Sequence, residues 1–271
     1  MKIEQSFKHI VLIGASVIAL VPIFFMIMTS VKSQDEYLYD KIGLPDSLFF
    51  ENFSNVLIAS PFLSWMANSA MLAVGAVCIS TIVSCLGAYA IARMEFKGRD
   101  SLLAASTSLM AVPPVVMIVP LFVLYTQLSL ISTYSGAIII YAGLVTPFSV
   151  YLLTTFFRTL PMELFESARI DGANHVDVLL KIVLPLSLPP VLTLVVVNSL
   201  YVWNDLLIAI IFLQDDEKRT LMAGISVFQG RYNNRIPLTM AGMVLATAPM
   251  VILYVSFQKY FVRGLMAGAI K

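Results

Sequence analysis

The chain has 271 residues, 59% of them hydrophobic and only 12% charged, with a net charge of +1 and a mean hydropathy of +0.89. That is more apolar surface than one soluble core can hide, which excludes an ordinary soluble domain and points to an integral membrane protein. The basic residues are too scattered to form a nucleic-acid surface.

The charges are segregated as well as rare. No Asp, Glu, Lys or Arg occurs from His9 to Val31, Asn52 to Ala92, Ser101 to Phe157 or Ile236 to Gln258. Each run exceeds the roughly 20 apolar residues that cross a bilayer as a helix. Residues 1–8 read as a short cytoplasmic N-terminus, and residues 9–271 as one transmembrane domain. The first span covers about 9–31; its apolar stretch is too long for a signal peptide and lacks a small-residue cleavage site, so a retained helix is expected. Phe49 to Ser69 leads from an exposed loop into a second span at about 65–92, with Trp65 placed as an interfacial anchor. Cys78 and Cys85 lie on one face of that helix, about 10 Å apart by helical rise and beyond disulfide reach, so they read as packing residues. The following turn, Arg93 to Asp100, reads "RMEFKGRD" and suits a topology anchor.

The run from Ser101 to Phe157 is long enough for two crossings and carries the polar patch "QLSLISTYSG" at Gln127 to Gly136. Spans at about 101–126 and 134–157 follow. Pro113, Pro114, Pro120, Pro147 and Pro249 each remove a backbone donor and mark kinks. A fifth span covers about 188–213 and includes one carboxylate, Asp205; a sixth covers about 238–261. With the N-terminus inside, eleven of the seventeen Lys and Arg residues fall on cytoplasmic segments and six outside. The positive-inside rule therefore places both ends in the cytoplasm.

Between spans four and five lies a charged loop, 158–187. Pro161 suits a first helical turn, Glu163 its positive end, and Gly172 the left-handed residue past the last turn, which predicts a short helix over 161–171. Asn174 then caps a second helix, "VDVLLKIVL", that Pro185 stops. On the first helix Leu164, Phe165 and Ala168 share one side, and Glu163, Glu166 and Ile170 another. So short a helix must dock on something, either its own spans or a partner.

The spacing Glu166, Ser167, Ala168, Gly172, Ile182, Leu184 and Pro185 resembles the "EAA" signature of membrane subunits of bacterial ATP-binding-cassette importers, with Ser167 where the family usually has a second Ala. "NSAMLAVGAVCISTIVSCLGAYAIARMEFKGR" (Asn68 to Arg99), "WNDLLIAIIFL" (Trp203 to Leu213) and "RGLMAGAIK" (Arg263 to Lys271) are similar to the carbohydrate, maltose-type branch. The resemblance implies an all-α, six-helix permease of the type I importer fold in a bacterial cytoplasmic membrane, with membrane lipid around it. It implies assembly with a second permease, most simply as a heterodimer although a homodimer is open, with two ATP-binding subunits and with an extracytoplasmic substrate-binding protein.

In that family the loop is a coupling helix seated in the ATPase subunit. Leu164, Phe165, Glu166, Ser167, Ala168, Asp171, Gly172, Ile182, Leu184 and Pro185 are then the coupling residues, with apolar Leu164, Phe165 and Ala168 entering the partner's cleft. ATP and Mg belong to the partner subunits, since the chain has no G-x4-G-K-[ST] loop and no cofactor of its own is expected. The C-terminal tail resembles one that reaches between ATPase subunits.

Two further groups are candidates. Trp203, Asn204 and Asp205 could stack on and hydrogen-bond a sugar along the pathway, or Asp205 could pair with a neighbouring helix. Phe228, Gln229, Gly230, Arg231, Tyr232 and Asn233 lie in an outer loop (214–237) that in maltose-type permeases reaches toward the docked binding protein; a plain solvated connection is the alternative. No catalytic set and no metal site is expected, His9 and His175 having no companions. A permease for a non-sugar solute remains an alternative. A secondary transporter would leave the charged loop unexplained, and a membrane enzyme would need a catalytic cluster that is not visible.

Overall fold

The charge-free runs become the longest helices. The structure is a computed structural model; it describes the backbone of residues 2–228 and 235–269 and the side chains of 8–228 and 235–259, and among these residues it contains helices and no strand. In chain order the helices are α1 (Lys2–Ser30), α2 (Gln34–Tyr39), α3 (Glu51–Ile58), α4 (Phe62–Arg93), α5 (Arg99–Leu109), α6 (Pro114–Gln127), α7 (Tyr134–Thr159), α8 (Met162–Ile170), α9 (His175–Val178), α10 (Leu184–Leu186), α11 (Leu188–Asn204), α12 (Leu207–Phe212), α13 (Leu221–Ser226) and α14 (Ile236–Ala269). A π-helical segment, Leu179–Val183, joins α9 to α10.

Among the described residues four single helices are long and apolar enough to cross a membrane: Lys8–Ser30, Phe62–Arg93, Tyr134–Thr159 and Ile236–Lys259. The third and fifth expected spans are each broken into more than one helix. α5 and α6 meet at 100°, so the 101–126 span is a bent pair. The cause is the Pro113-Pro114 step: a residue before proline is pushed out of the helical region, and Pro113 sits at ψ 132° while Pro114 starts α6. The expected 188–213 helix ends at Asn204, where Asp205 is extended (φ −71°, ψ 132°), and α12 is a separate piece. His175–Leu186 and Leu188–Asn204 form the second bent pair, at 78°.

Pro185 does not stop its helix, contrary to expectation. It has no N–H to return to the carbonyl four residues back, and the chain adapts by widening one turn: the Leu184 N–H bonds the Leu179 carbonyl, five residues back. The helix runs on to Leu186, and the bend falls at Ser187, whose N–H reaches both Val183 O (2.9 Å) and Leu184 O (3.1 Å).

The packing falls into two units. One comprises 1–66 and 221–249, the other 67–220 and 250–271. In the first, the stretch after α1 is tied down rather than loose. The Asn52 amide donates to Ser30 O (2.9 Å) and Lys32 O (2.8 Å), the buried Lys32 ammonium to Asp40 O (2.8 Å), and Ser33 caps α2 by accepting from Glu36 N. Trp65 is 4% exposed, so it is a core residue rather than an interfacial anchor; its ring lies 5.9 Å from that of Phe228 and directly against Gly224, where a Cβ would overlap it.

In the second unit, one apolar cluster joins Leu72, Ala76, Tyr141, Val202 and Phe212, and another joins Cys85, Ala88, Leu153, Phe157, Val183 and Leu194. Between them the Asn198 amide donates to Ser149 Oγ (2.8 Å) and the Thr146 hydroxyl lies 3.2 Å from Ser80 Oγ. Such hydroxyl and amide pairs hold helices together where lipid offers no hydrophobic drive.

Candidate functional site

The charged hairpin over 158–187 is built almost as the sequence suggests. α8 begins one residue later than expected: Pro161 is the N-cap (φ −58°, ψ 138°) and Met162 the first helical residue. Glu163 in the first turn and Arg169 in the last both complement the helix dipole. The C-terminus closes in a Schellman motif. The Ala173 N–H bonds Ala168 O (2.9 Å), the Gly172 N–H bonds Arg169 O (3.0 Å), and Gly172 takes φ 79°. Asn174 then caps α9, accepting from Asp177 N at 2.9 Å. Lys181 Nζ, 2.5 Å from Asp177, holds that carboxyl below its ordinary pKa by hydrogen bond and charge.

The apolar side of α8 does not face outward. Phe165 (5% exposed) and Ala168 (6%) are buried in the cluster with Tyr89, Phe157, Val178 and Leu179 of the same chain, and Ile182 and Leu184 pack against it in part. The expectation that Phe165 and Ala168 enter a partner's cleft is therefore corrected: a nine-residue helix gains its stability by docking on its own spans. What α8 leaves free is Leu164 (38% exposed), Ile170 (86%), Glu163, Glu166 and Ser167, with Asp171, Gly172 and Pro185 also exposed. The Ser167 hydroxyl is turned back on Glu163 O at 2.8 Å.

Sequence reasoning treated Arg93, at the end of α4, as a topology anchor. In the structure its guanidinium donates to Phe157 O and to Leu160 O (2.6 Å), lies 3.7 Å from Met162 Sδ, and stacks with Cζ 4.1 Å from the centre of the Phe165 ring. One turn earlier, the Tyr89 hydroxyl and His175 Nδ1 are 3.2 Å apart, with the rings edge to face. A cavity of about 130 Å³ lies between these contacts, lined among others by Glu166, Arg169 and Asn174. The partners of Arg93 are backbone carbonyls more than sixty residues away, which no local pattern announces. The i, i+4 pairing of Tyr89 with Arg93 at the end of a long apolar helix was the one available signal.

The second candidate group does not present a common face. Trp203 is buried, the Asn204 amide bonds Leu200 O (2.8 Å), and one oxygen of Asp205 accepts from the Tyr141 hydroxyl (2.8 Å), Ile208 N (2.9 Å) and Ala209 N (3.2 Å). Asp205 thus starts α12 and ties it to α7, which is the local-pairing alternative. Of the third group, Phe228 packs on Trp65, whereas Gln229, Gly230, Arg231, Tyr232 and Asn233 lie outside the described residues. The tail from Arg263 lies beyond the described side chains. Both cysteines are free, and no group of His, Cys, Asp or Glu suited to a metal occurs among the described residues. An apolar cleft of about 610 Å³ lies between α6, α7 and α11, with Tyr125, Phe148, Asn198 and Tyr201 on its walls.

Several apolar spans, two of them bent pairs, with a short-helix hairpin docked at the ends of α4 and α7, define a multi-span membrane protein. Residues 80–266 match the family of binding-protein-dependent transport system inner membrane components, and the chain belongs to that family. It is 33% identical over 270 residues to the melibiose/raffinose/stachyose import permease MelC of Bacillus subtilis, covering 98% of both chains. It is 34% identical over 277 residues to the trehalose/maltose transport system permease MalG of Thermococcus litoralis, covering 99% of both. The fold is that of a chain in a solved bacterial ABC transporter involved in import of the acidic polysaccharide alginate, with a TM-score of 0.82 over 96% of this chain and 97% of that one at 24% identity.

Proposed function

We propose that the chain is one membrane-spanning subunit of an ATP-driven sugar importer in a bacterial cytoplasmic membrane, and that its α8 hairpin couples it to a separate ATPase. Two ATP-binding subunits holding ATP and Mg, a second permease and an extracytoplasmic substrate-binding protein complete the assembly. The observation that carries the coupling role is the exposed edge of α8: a rigid helix docked by Phe165 and Ala168 that leaves Leu164 and Ile170 in the open beside Glu163 and Glu166. Exposed apolar residues rimmed by charge on a stiff hairpin suit a protein partner. Closure of the ATPase pair would move this edge and, with it, the spans behind it. The sugar assignment is supported by what the relatives are named for. Both chain ends lie in the cytoplasm in this reading, on the same side as α8.

The test is uptake into vesicles by the purified complex, with and without ATP and with and without an ionophore, together with identification of the ligand that co-purifies with the binding protein. Uptake that requires ATP and survives the ionophore is expected, with a sugar as ligand. Uptake abolished by the ionophore and indifferent to ATP would mean a secondary transporter, and an amino acid or ion in the binding protein would overturn the sugar assignment alone.

A further inference from the structure

We infer that Tyr89 and Arg93 are the positioning residues through which the hairpin and the membrane spans move as one body. This inference rests on the coupling role proposed for α8. The final turns of α4 carry both side chains, four residues apart and so on one helix face. Each holds a different arm of the hairpin. Arg93 takes the first arm: its plane stacks on Phe165 of α8, and the same guanidinium donates to the last carbonyls of α7 at Phe157 and Leu160. Tyr89 takes the second arm at His175, the first residue of α9.

The arrangement suits transmission of force better than a mere anchor would. A topology anchor needs only a charge at the membrane edge, which any lysine provides. Here the charge is turned inward onto two carbonyls at the end of α7, where Phe157 O otherwise accepts only the long bond from the Leu160 N–H (3.4 Å), and the guanidinium carbon lies over an aromatic ring. Three helices, α4, α7 and α8, therefore meet at one guanidinium, and the second arm is held by a contact that does not share any atom with the first. A hairpin gripped at one arm alone could pivot about that point; gripped at two, it can only carry α4 with it. Arg93 Nε is buried without a partner in this arrangement, the kind of unsatisfied donor that another arrangement of the same parts can relieve.

The experiment uses the full complex reconstituted in vesicles with its binding protein, loaded with the ligand that co-purifies with it. The readout is ligand transported per ATP hydrolysed, because a loss of folded complex lowers both rates together and leaves their ratio alone. For Arg93→Ala the ratio is expected to fall by about fivefold or more, the low end of coupling between distant sites. Arg93→Lys, which keeps the charge but loses the plane, is expected to recover part of it. An unchanged ratio, with both rates falling in step, overturns the inference. Should Arg93→Ala fail to assemble, Arg93→Lys combined with Tyr89→Phe decides in the same way, since it keeps both side-chain volumes. Crosslinking from Ile170→Cys to the ATPase subunit separates this inference from the reading beneath it. A crosslink with an unchanged ratio removes only the role of Tyr89 and Arg93, whereas no crosslink in any nucleotide state removes the coupling role itself.

Discussion

Replacing Gly172 tests the hairpin at the point where backbone geometry and not contact decides. Gly172 holds φ 79°, and a Cβ built there meets nothing within 4 Å. Any cost of a side chain is therefore conformational: about 1–2 kcal/mol for an ordinary residue in the left-handed region, less for Asn, and more for a β-branched residue. The Schellman bonds from Gly172 and Ala173 are lost when that residue leaves the left-handed region, so the penalty falls on the end of α8. A penalty of about 1 kcal/mol makes local opening roughly fivefold more frequent, and hydrogen exchange of the α8 and α9 amides should accelerate by that factor in Gly172→Ala. The order should be Gly, Asn, Ala, Val from slowest to fastest exchange. Gly172→Asp should insert normally and transport less ligand per ATP. A Val variant that exchanges as slowly as the wild type, or an Asn variant faster than Val, would refute the argument, because open space leaves φ as the only variable.

Gly224→Ala would drive a methyl into the Trp65 ring, and a loss of about 1–3 kcal/mol, read as a lower unfolding temperature in detergent, should be relieved when Trp65 is shortened to Leu in the same chain. Asp205→Ala should leave the Tyr141 hydroxyl and two α12 amides unpaired, at a cost of about 1–3 kcal/mol, whereas Asp205→Asn, which keeps an acceptor, should unfold at nearly the wild-type temperature; equal losses would mean that the carboxylate is not a cap. Because Lys181 lowers the Asp177 pKa in the folded hairpin, that contribution is fully present above the ordinary carboxylate value and disappears as pH falls through the lowered one. Exchange of the 175–183 amides, corrected for intrinsic rate, should be flat with pH above that window and rise below it, and Asp177→Asn should flatten the profile.

Much of the fold can be read directly from where charge is missing. The run without charge from Asn52 to Ala92 marks the end of α4 to within one residue, although its start takes in most of α3 as well, because a helix in lipid must be apolar for its full length and can carry charge only where it emerges. The hairpin was legible for a similar reason: Gly172 and Asn174 act on their own neighbours, so their effect is written locally. What failed was everything decided at a distance. The side of α8 bearing Phe165 could equally face a partner or its own spans, and only Tyr89, Phe157 and Val178, far apart in sequence, settle which. Trp65 has the chemistry of an interfacial residue but meets a glycine in another segment. Pro185 carries a strong local signal, and the chain absorbed it by widening a turn instead of ending one. The 100° break at Met110–Pro113 was visible as prolines, whereas the size of its angle was not.

The π-helical segment at Leu179–Val183 holds one residue more than an α-helical path over the same distance would use. Drawing that residue back into regular winding would advance everything after it by about 1.5 Å and turn it by about 100°. Ile182 and Leu184 would rotate off the cluster they now fill, and the Ser187 bend would aim α11 elsewhere. Pro185, lacking the N–H that the tighter winding demands, works like a pawl that keeps the surplus from being taken up. The bearing of an entire span thus leans on one five-membered ring.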